Sequence, residues 1–222
     1  MFDSYLRPLI DPPLDSAAKH VAKLGVTANH VTVGGFVCGL GAFWALAQQD
    51  YGLALGGLAL NRLADGFDGA VARHRGLSDL GGFLDVVLDL IFYAGFVFFF
   101  ALGRPDDALI AAFLIFSFMG TGASFLAFSV MAAKHGVVSR RRGLKSIYYL
   151  GGLAEGAETI LAFVLICLFP DQFFWIAVVF GIMCWITTAL RIGAAVDAFG
   201  GRDPVAIRPP REAPPEPPGP TG

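Results

Sequence analysis

Residues 65–89 read DGFDGAVARHRGLSDLGGFLDVVLD, and this stretch carries two pairs of aspartates, Asp65 with Asp68 and Asp85 with Asp89. Long apolar segments stand on both sides of it. A carboxylate at the centre of a membrane helix costs about 3 kcal/mol on insertion scales. Four carboxylates close to a bilayer therefore indicate a functional role. Something must offset their cost, and a divalent metal ion is the natural candidate.

The composition places the chain among membrane proteins. Of its 222 residues, 55% are hydrophobic and 15% are charged, and the mean hydropathy is +0.64. These values exceed the apolar share of an ordinary soluble domain. The apolar windows predict an all-α integral membrane fold with six transmembrane helices, near 31–48, 51–72, 81–102, 107–133, 146–169 and 172–195. A lipid bilayer is the predicted surrounding, and no nucleic-acid partner is predicted.

The basic residues are distributed unequally between the two sides of the predicted bundle. The turns 48–51, 103–107 and 170–172 lie on one side and contain one of the sixteen Lys and Arg residues, Arg104. The other side collects Arg7, Lys19, Lys23, Arg73, Arg75, Lys134, Arg140, Arg141, Arg142 and Lys145. Because basic loops favour the cytoplasmic side, both termini and the aspartate-rich stretch are predicted to face the cytoplasm.

The two ends of the chain differ from the membrane domain predicted at 25–199. Residues 1–24 repeat apolar residues at helical spacing and lack the features of a cleavable signal peptide. They are interpreted as an amphipathic interfacial segment on the membrane surface, with an arm packed on the domain as the alternative. Residues 200–222 contain eight of the thirteen prolines and are predicted to form a disordered tail.

Helical geometry brings the four carboxylates together. With 100° and 1.5 Å per residue, Asp65 and Asp68 lie roughly 60° apart around a helix, and Asp85 and Asp89 roughly 40° apart. A short connection makes the two helices antiparallel neighbours, so all four carboxylates can converge. Oxygen ligands without His or Cys favour Mg²⁺ or Mn²⁺. Four negative charges exceed the need of one ion, so two ions about 4 Å apart are predicted, an arrangement suited to phosphoryl-type chemistry.

The residues after Asp68 fit a ligand-binding helix face. Gly69 and Ala72 leave little side-chain bulk there, which lets a ligand approach the backbone. Arg73 ends the span, where it can pair with a phosphate. Close helix packing explains the two small residues equally well when they are taken alone, and an interfacial anchor explains Arg73. The company of four aspartates favours contact with a ligand.

The complete pattern closely resembles the signature of the CDP-alcohol phosphotransferases, an integral-membrane family that makes phospholipids. The signature is D-x2-D-G-x2-A-R, then seven or eight residues, then G-x3-D-x3-D, and all eight fixed positions are present between Asp65 and Asp89. Residues 27–32, TANHVT, also resemble a T-P-N-x-[LI]-T segment often found before the first span, with Ala28 in place of the proline.

The resemblance implies a reaction and a set of roles. A hydroxyl of an alcohol or phosphorylated alcohol attacks the lipid-linked phosphorus of a donor such as CDP-diacylglycerol, and CMP leaves. Asp65, Asp68 and Asp85 are expected to bind metal, and Asp89 to contact metal and act as the general base. The CDP site is expected to include Gly69, Ala72, Arg73 and Asn29. A homodimer is expected, in a bacterial inner membrane. Physical reasoning alone allows Asp89 as the base without singling it out.

The acceptor alcohol is open. In relatives that use a phosphorylated alcohol, basic residues in the loop before the fifth span and near the end of the sixth hold its phosphate, which points to Lys145, Arg140 and Arg191. A positive-inside anchor on anionic lipid is at least as good an explanation for the cluster 140–142. Glu155 and Glu158 either contact a polar acceptor or pair within the bundle. Leu90 stands where relatives using glycerol phosphate often carry Lys, which disfavours that acceptor.

Two other functions fit part of the pattern. An intramembrane prenyltransferase of the UbiA type also uses aspartate-rich helices and magnesium, but it lacks the G-x2-A-R continuation and needs about nine spans. A cation transporter is compatible with intramembrane carboxylates. Its pathway should continue through polar groups, whereas residues 96–100 read FVFFF.

Overall fold

The computed structural model describes residues 14, 15, 17–21, 25–76, 78–134 and 152–200. Six helices of more than ten residues are found in these ranges: α1 (Ala28–Ala47), α2 (Tyr51–Arg75), α3 (Asp79–Gly103), α4 (Ala108–Lys134), α5 (Gly156–Leu168) and α6 (Phe173–Phe199). Short 3₁₀ turns, Pro105–Asp107 and Pro170–Gln172, precede α4 and α6. The described residues contain no strand, and the predicted all-α class is confirmed.

Four of these segments are long and apolar enough to cross a membrane: Ala28–Ala47, Asp79–Gly103, Pro105–Lys134 and Pro170–Phe199. Helix α2 has 25 residues, but charged side chains crowd its second half and lower its hydropathy. Helix α5 has 13 residues, which at 1.5 Å per residue covers about 20 Å of a 30 Å hydrocarbon core. The count of six transmembrane spans therefore stays a prediction.

The predicted span 146–169 is wrong over part of its length. Residues 146–151 lie outside the described residues, and the helix begins only at Gly156. Before it, the backbone N–H of Gly152 donates to Glu155 Oε1 at 3.1 Å and that of Ala154 donates to Thr187 Oγ1 of α6 at 3.0 Å. These side-chain acceptors satisfy amides that a helix would otherwise use, and the helix starts only after them. Glu155 thus has a local structural contact.

Aromatic residues fill the core between α1, α3 and α5. Phe92, Phe96 and Phe163 are completely buried, and the rings of Phe96 and Phe163 stack with centroids 4.3 Å apart. Phe43 of α1 stacks on Phe92 at 5.5 Å. In a bilayer such packing contributes through van der Waals contact rather than through exclusion of water. This core forms the floor beneath the aspartate-rich stretch.

At the opposite end of the bundle from that stretch, Arg104 joins two connections. Its Nε donates to Asp107 Oδ2 at 2.7 Å, and its Nη1 donates to Asp171 Oδ1 at 3.0 Å. Hydrogen bonds donated to these two carboxylates raise the pKa of Arg104 above its ordinary value, so the side chain is a permanent cation. The pairs connect the turn before α4 to the turn before α6.

The N-terminal residues that the structure describes pack on α2. Ala18 is completely buried against Ala70 and Val71, and Leu14 is partly buried in the same cluster. For these residues the packed arm describes the arrangement better than a segment lying only on lipid. The rest of 1–24, and residues 201–222 of the predicted tail 200–222, lie outside the described residues. The three predicted regions of the chain stay predictions.

Candidate active site

A tight, well-capped connection sets α2 and α3 side by side. Helix α2 ends at Gly76, whose φ of 100° lies in the left-handed region that favours glycine. Helix α3 begins after Ser78, whose Oγ accepts from the backbone N–H of Gly81 at 3.0 Å. Helix α1 packs against both α2 and α3, which themselves have little direct backbone contact. The result is a cleft between α2 and α3, closed on one side by α1.

Three of the four predicted carboxylates meet in this cleft. One oxygen each from Asp65, Asp68 and Asp85 can be chosen so that all three lie within 4.8 Å of one another. Around a Mg²⁺ ion with ligands at about 2.1 Å, opposite oxygens are about 4.2 Å apart. Neighbouring oxygens around such an ion are about 3.0 Å apart, so the three aspartates would hold one hard divalent ion once their carboxylates draw closer together.

Asp68 is the most buried of the three, with 7% of its surface exposed. Its Oδ2 accepts from the hydroxyl of Thr32 on α1 at 2.5 Å. Such a partner orients the carboxylate from behind, as outer hydrogen bonds commonly do for metal ligands. Sequence reasoning did not single out Thr32. Its position did offer a signal, because Thr32 is the last residue of the TANHVT segment described above.

Asp89 lies outside this group of three and has its own partners. Its Oδ1 accepts from Arg62 Nη2 at 2.8 Å, and its Oδ2 accepts from the hydroxyl of Tyr93 at 3.3 Å. Arg62 also lies 3.6 Å from an oxygen of Asp65. Sequence reasoning missed Arg62, although an arginine within a membrane helix, three residues before an aspartate, is itself a signal of function.

Two cavities share a wall made by Thr32, Asp68 and Asp85. The narrow one measures about 10 Å³, room for about one water, and reaches Arg62 and Asp89. The wider one measures about 140 Å³. Its other lining residues are Ala28, Asn29, Gly69, Ala72, Gly76, Ser78, Gly81 and Gly82. Asp68 and Asp85 thus stand between a small space beside Asp89, which Asp65 also lines, and a larger space at the ends of α2 and α3.

Three of the four residues predicted to bind CDP line the wider cavity, namely Asn29, Gly69 and Ala72. Arg73, the fourth, is exposed and its Nε lies 3.6 Å from Asp15 Oδ1. The neighbouring His74 Nε2 is 3.2 Å from the same oxygen. An exposed ion pair of this kind contributes little energy, so a stronger anion can replace it.

The glycines of the signature have different surroundings. A Cβ atom on Gly81 would lie 3.0 Å from Asn29 Oδ1 and 2.9 Å from Ser78 Oγ, so this glycine permits the close approach of α1 to α3. A Cβ atom on Gly69 would meet nothing within 4 Å. Within the described part of the chain, helix packing does not require a glycine at position 69. A glycine there does keep the wider cavity open to a ligand.

We expect Gly69→Leu to raise the KM for the nucleotide-linked substrate by tenfold or more while leaving the melting temperature at or above its original value. The new side chain points into the wider cavity and meets no protein atom at its Cβ, and glycine is the poorer helix former. Gly35→Leu is the matched control, because a Cβ there would lie 2.5 Å from Ala64 Cβ and should lower the melting temperature. Unchanged kinetics for Gly69→Leu would remove this face from the binding site.

Of the three residues predicted to bind the acceptor, one lies in the part of the chain that the structure describes. Arg140 and Lys145, with the rest of the basic cluster, lie outside the described residues. Arg191 is 9% exposed in α6, its Nη1 donates to the Thr121 carbonyl at 2.9 Å, and its guanidinium lies 5.6 Å from the centroid of the Phe125 ring. It lines neither cavity. Its predicted role stays a prediction.

Comparisons with known proteins found similar sequences and a similar fold. The family model described as CDP-alcohol phosphatidyltransferase matches residues 25–193. The inner membrane protein YnjF of Escherichia coli is 50% identical over 193 residues, which are 86% of this chain and 94% of that protein. An archaetidylinositol phosphate synthase of Pyrococcus horikoshii is 40% identical over 101 residues, 45% of this chain and 54% of that protein.

A solved structure shares the fold. The Mycobacterium tuberculosis phosphatidylinositol phosphate synthase PgsA1, crystallised with CDP-DAG bound, superposes with a TM-score of 0.61 at 19% sequence identity. The match covers 90% of this chain and 98% of that chain. At this identity the likeness establishes the fold. The four apolar helices and the inner membrane relative support an integral membrane protein.

Proposed function

Because the chain belongs to the CDP-alcohol phosphatidyltransferase family, we propose that it transfers a phosphatidyl group from CDP-diacylglycerol to an alcohol and releases CMP. The observation that carries this proposal is the cluster of Asp65, Asp68 and Asp85, of which Asp68 and Asp85 line the wider cavity. That cluster can hold the diphosphate of the donor while the cytidine end lies along Gly69 and Ala72.

The four aspartates have different proposed roles in this reaction. Asp65, Asp68 and Asp85 would hold a Mg²⁺ or Mn²⁺ ion, which when bound neutralises diphosphate charge and favours departure of CMP. Asp89 accepts the proton of the acceptor hydroxyl as its oxygen attacks the lipid-linked phosphorus. The bond that breaks joins this phosphorus to the bridging oxygen, and the electron pair leaves with CMP. A second ion, and Asp89 as a ligand to it, stay predictions.

The acceptor is proposed to be a phosphorylated polar alcohol. Two of the similar proteins are named as synthases of inositol phosphate lipids, and the side of the bundle that carries the signature is rich in Lys and Arg. We also propose that this side and both termini face the cytoplasm, where a charged acceptor is available. The homodimer expected from the family stays a prediction.

The assay is to incubate the purified protein in mixed micelles with CDP-diacylglycerol, Mg²⁺ or Mn²⁺, and a panel of alcohols that includes inositol phosphate and glycerol phosphate. We expect CMP release that depends on metal and on one acceptor, at least tenfold above the rate without acceptor. No CMP with any acceptor would contradict the proposal. Release of pyrophosphate from a prenyl diphosphate would instead favour prenyl transfer.

The structure gives no support to the transporter. Below the carboxylates, in the direction an ion would have to travel, Phe92, Phe96 and Phe100 of α3 are 0–1% exposed and fill the described core. Metal flux into vesicles that persisted after loss of Asp89 would be needed to restore that alternative.

A further inference from the structure

We propose that Arg62 is a positioning residue, held by Asn61, that fixes the carboxylate of Asp89 for its work as the proton acceptor. This inference rests on the proposed function and extends it to side chains outside the aspartate signature. It is carried by the contacts of one guanidinium group inside the bundle. The side chain of Arg62 is 17% exposed, and its partners come from α2 and α3.

Protein groups surround the guanidinium of Arg62 and accept its hydrogen bonds. Its Nε and Nη2 donate to Asn61 Oδ1 at 3.0 and 2.6 Å, and Nη2 also donates to Asp89 Oδ1 at 2.8 Å. Its Nη1 donates to the hydroxyl of Tyr93 at 3.3 Å and faces Asp65 at 3.6 Å. An arginine has five N–H donors. Four of those of Arg62 have hydrogen-bond acceptors within the protein, and Nη1 also faces the Asp65 carboxylate. These contacts separate Arg62 from an arginine whose fork is open to a substrate phosphate.

Asn61 ties this arginine to α1. It is 5% exposed, and its Nδ2 donates to the carbonyl of Gly35 at 2.9 Å. Its Oδ1 then faces the guanidinium, since a flipped amide would set donors against donors. The rings of Phe92 and Tyr93 lie 5.1 and 5.5 Å from the guanidinium carbon and limit its movement further. Arg62 is thus a fixed cation.

Asp89 is held at both oxygens as a consequence. Arg62 binds Oδ1, and the hydroxyl of Tyr93, which itself accepts from Arg62, donates to Oδ2. Each carboxylate oxygen keeps a second lone pair that can take a proton. The carboxylate is therefore fixed in direction without losing its ability to act as a base, and the neighbouring cation offsets the cost of a charge at this depth.

The experiment compares Arg62→Gln, Arg62→Lys and Tyr93→Phe with wild type. We expect Arg62→Gln to lower kcat about 100-fold, because a displacement of about 1 Å in a reacting group costs that much, with little change in the KM for CDP-diacylglycerol. Arg62→Lys keeps the charge without the planar fork, so its kcat should be intermediate. Tyr93→Phe removes one hydrogen bond to Asp89 and should lower kcat about fivefold.

Two measurements separate positioning from a structural role. Arg62→Gln should bind Mn²⁺ at least as tightly as wild type, because a positive charge 3.6 Å from Asp65 has been removed. The double variant Arg62→Gln with Asp89→Asn should be no slower than Asp89→Asn alone, because Arg62 acts through Asp89. Arg104→Gln is the control, since it breaks a comparable set of hydrogen bonds at the other end of the bundle and should lower stability with kcat unchanged.

The inference is overturned by a wild-type kcat in Arg62→Gln, by additive losses in the double variant, or by a tenfold loss of Mn²⁺ affinity. If the Arg62 variants do not fold, a wild-type kcat in Tyr93→Phe overturns it and a selective loss of kcat supports it. A wild-type protein that releases no CMP contradicts the proposed function and takes this inference with it. Full wild-type activity together with an unaffected Arg62→Gln variant contradicts this inference alone.

Discussion

Asp89→Asn is expected to lower the rate of CMP release by about 10²–10⁴-fold, the usual contribution of a general base, while binding of CDP-diacylglycerol is retained. Asparagine has nearly the shape of aspartate, and its carbonyl oxygen can still accept from Arg62 Nη2, now 2.8 Å from Asp89. The variant therefore removes basicity and leaves the geometry in place. Single-turnover measurements with labelled donor give the rate, and equilibrium binding of the same donor gives the affinity.

Asp79→Asn is the matched control for this variant. Asp79 lies in the first turn of the same helix, is exposed, and lines neither of the two cavities. It should turn over at the wild-type rate. Normal turnover in Asp89→Asn would remove Asp89 from the role of base. Equal losses in both variants would indicate that charge on α3, rather than the position of one carboxylate, controls the reaction.

Asp68→Asn is expected to abolish metal-dependent activity and to reduce Mn²⁺ affinity by more than the 10–100-fold that loss of an outer partner typically causes. Asp68 is the buried member of the three clustered carboxylates. Without metal, three like charges within 4.8 Å repel one another. Replacing one by a neutral amide should therefore leave the melting temperature of the chelator-treated protein unchanged or higher.

A thermal titration with Mn²⁺ distinguishes the metal-free protein from the metal-bound protein. Wild-type protein should gain stability as Mn²⁺ is added, because the ion binds the folded chain, and Asp68→Asn should show no such gain. Asp50→Asn controls for the loss of a charge, since Asp50 caps α2 at the end remote from the cluster. A wild-type response in Asp68→Asn would show that the ion binds elsewhere.

Much of the membrane fold could be predicted because helical periodicity and apolar length are local properties of the chain. The predicted spans 51–72 and 81–102 lie within α2 and α3, which extend up to three residues beyond them. The error at 146–169 arose where local hydropathy was overridden, because Glu155 and Thr187 supply acceptors to amides before Gly156, and the helix begins only there. Thr187 is far away in sequence, so the local pattern did not indicate its contact with Ala154.

In the candidate site, too, the local pattern could be predicted and the contacts between helices could not. The spacing of Asp65, Asp68 and Asp85 was enough to predict that their carboxylates meet, and the structure brings them within 4.8 Å of one another. The same reasoning placed Asp89 with them; it lines the narrow cavity beside them but stays outside the group of three, with Arg62 as its partner. A pattern of aspartates contains no information about which cation each one will face, since that depends on how α2 and α3 are rotated about their axes.

By itself, then, the sequence determined the class of fold, which follows from composition and helical spacing, and its signature pointed to the family and to the aspartates proposed to form the site. Only the tertiary structure decided that Thr32 of α1 supports Asp68, that Gly69 faces open space, and that Arg62 holds Asp89. These contacts join residues about 30 positions apart, or depend on how neighbouring helices are arranged in space. Packing of the three helices, and not the local preference of any residue, sets them.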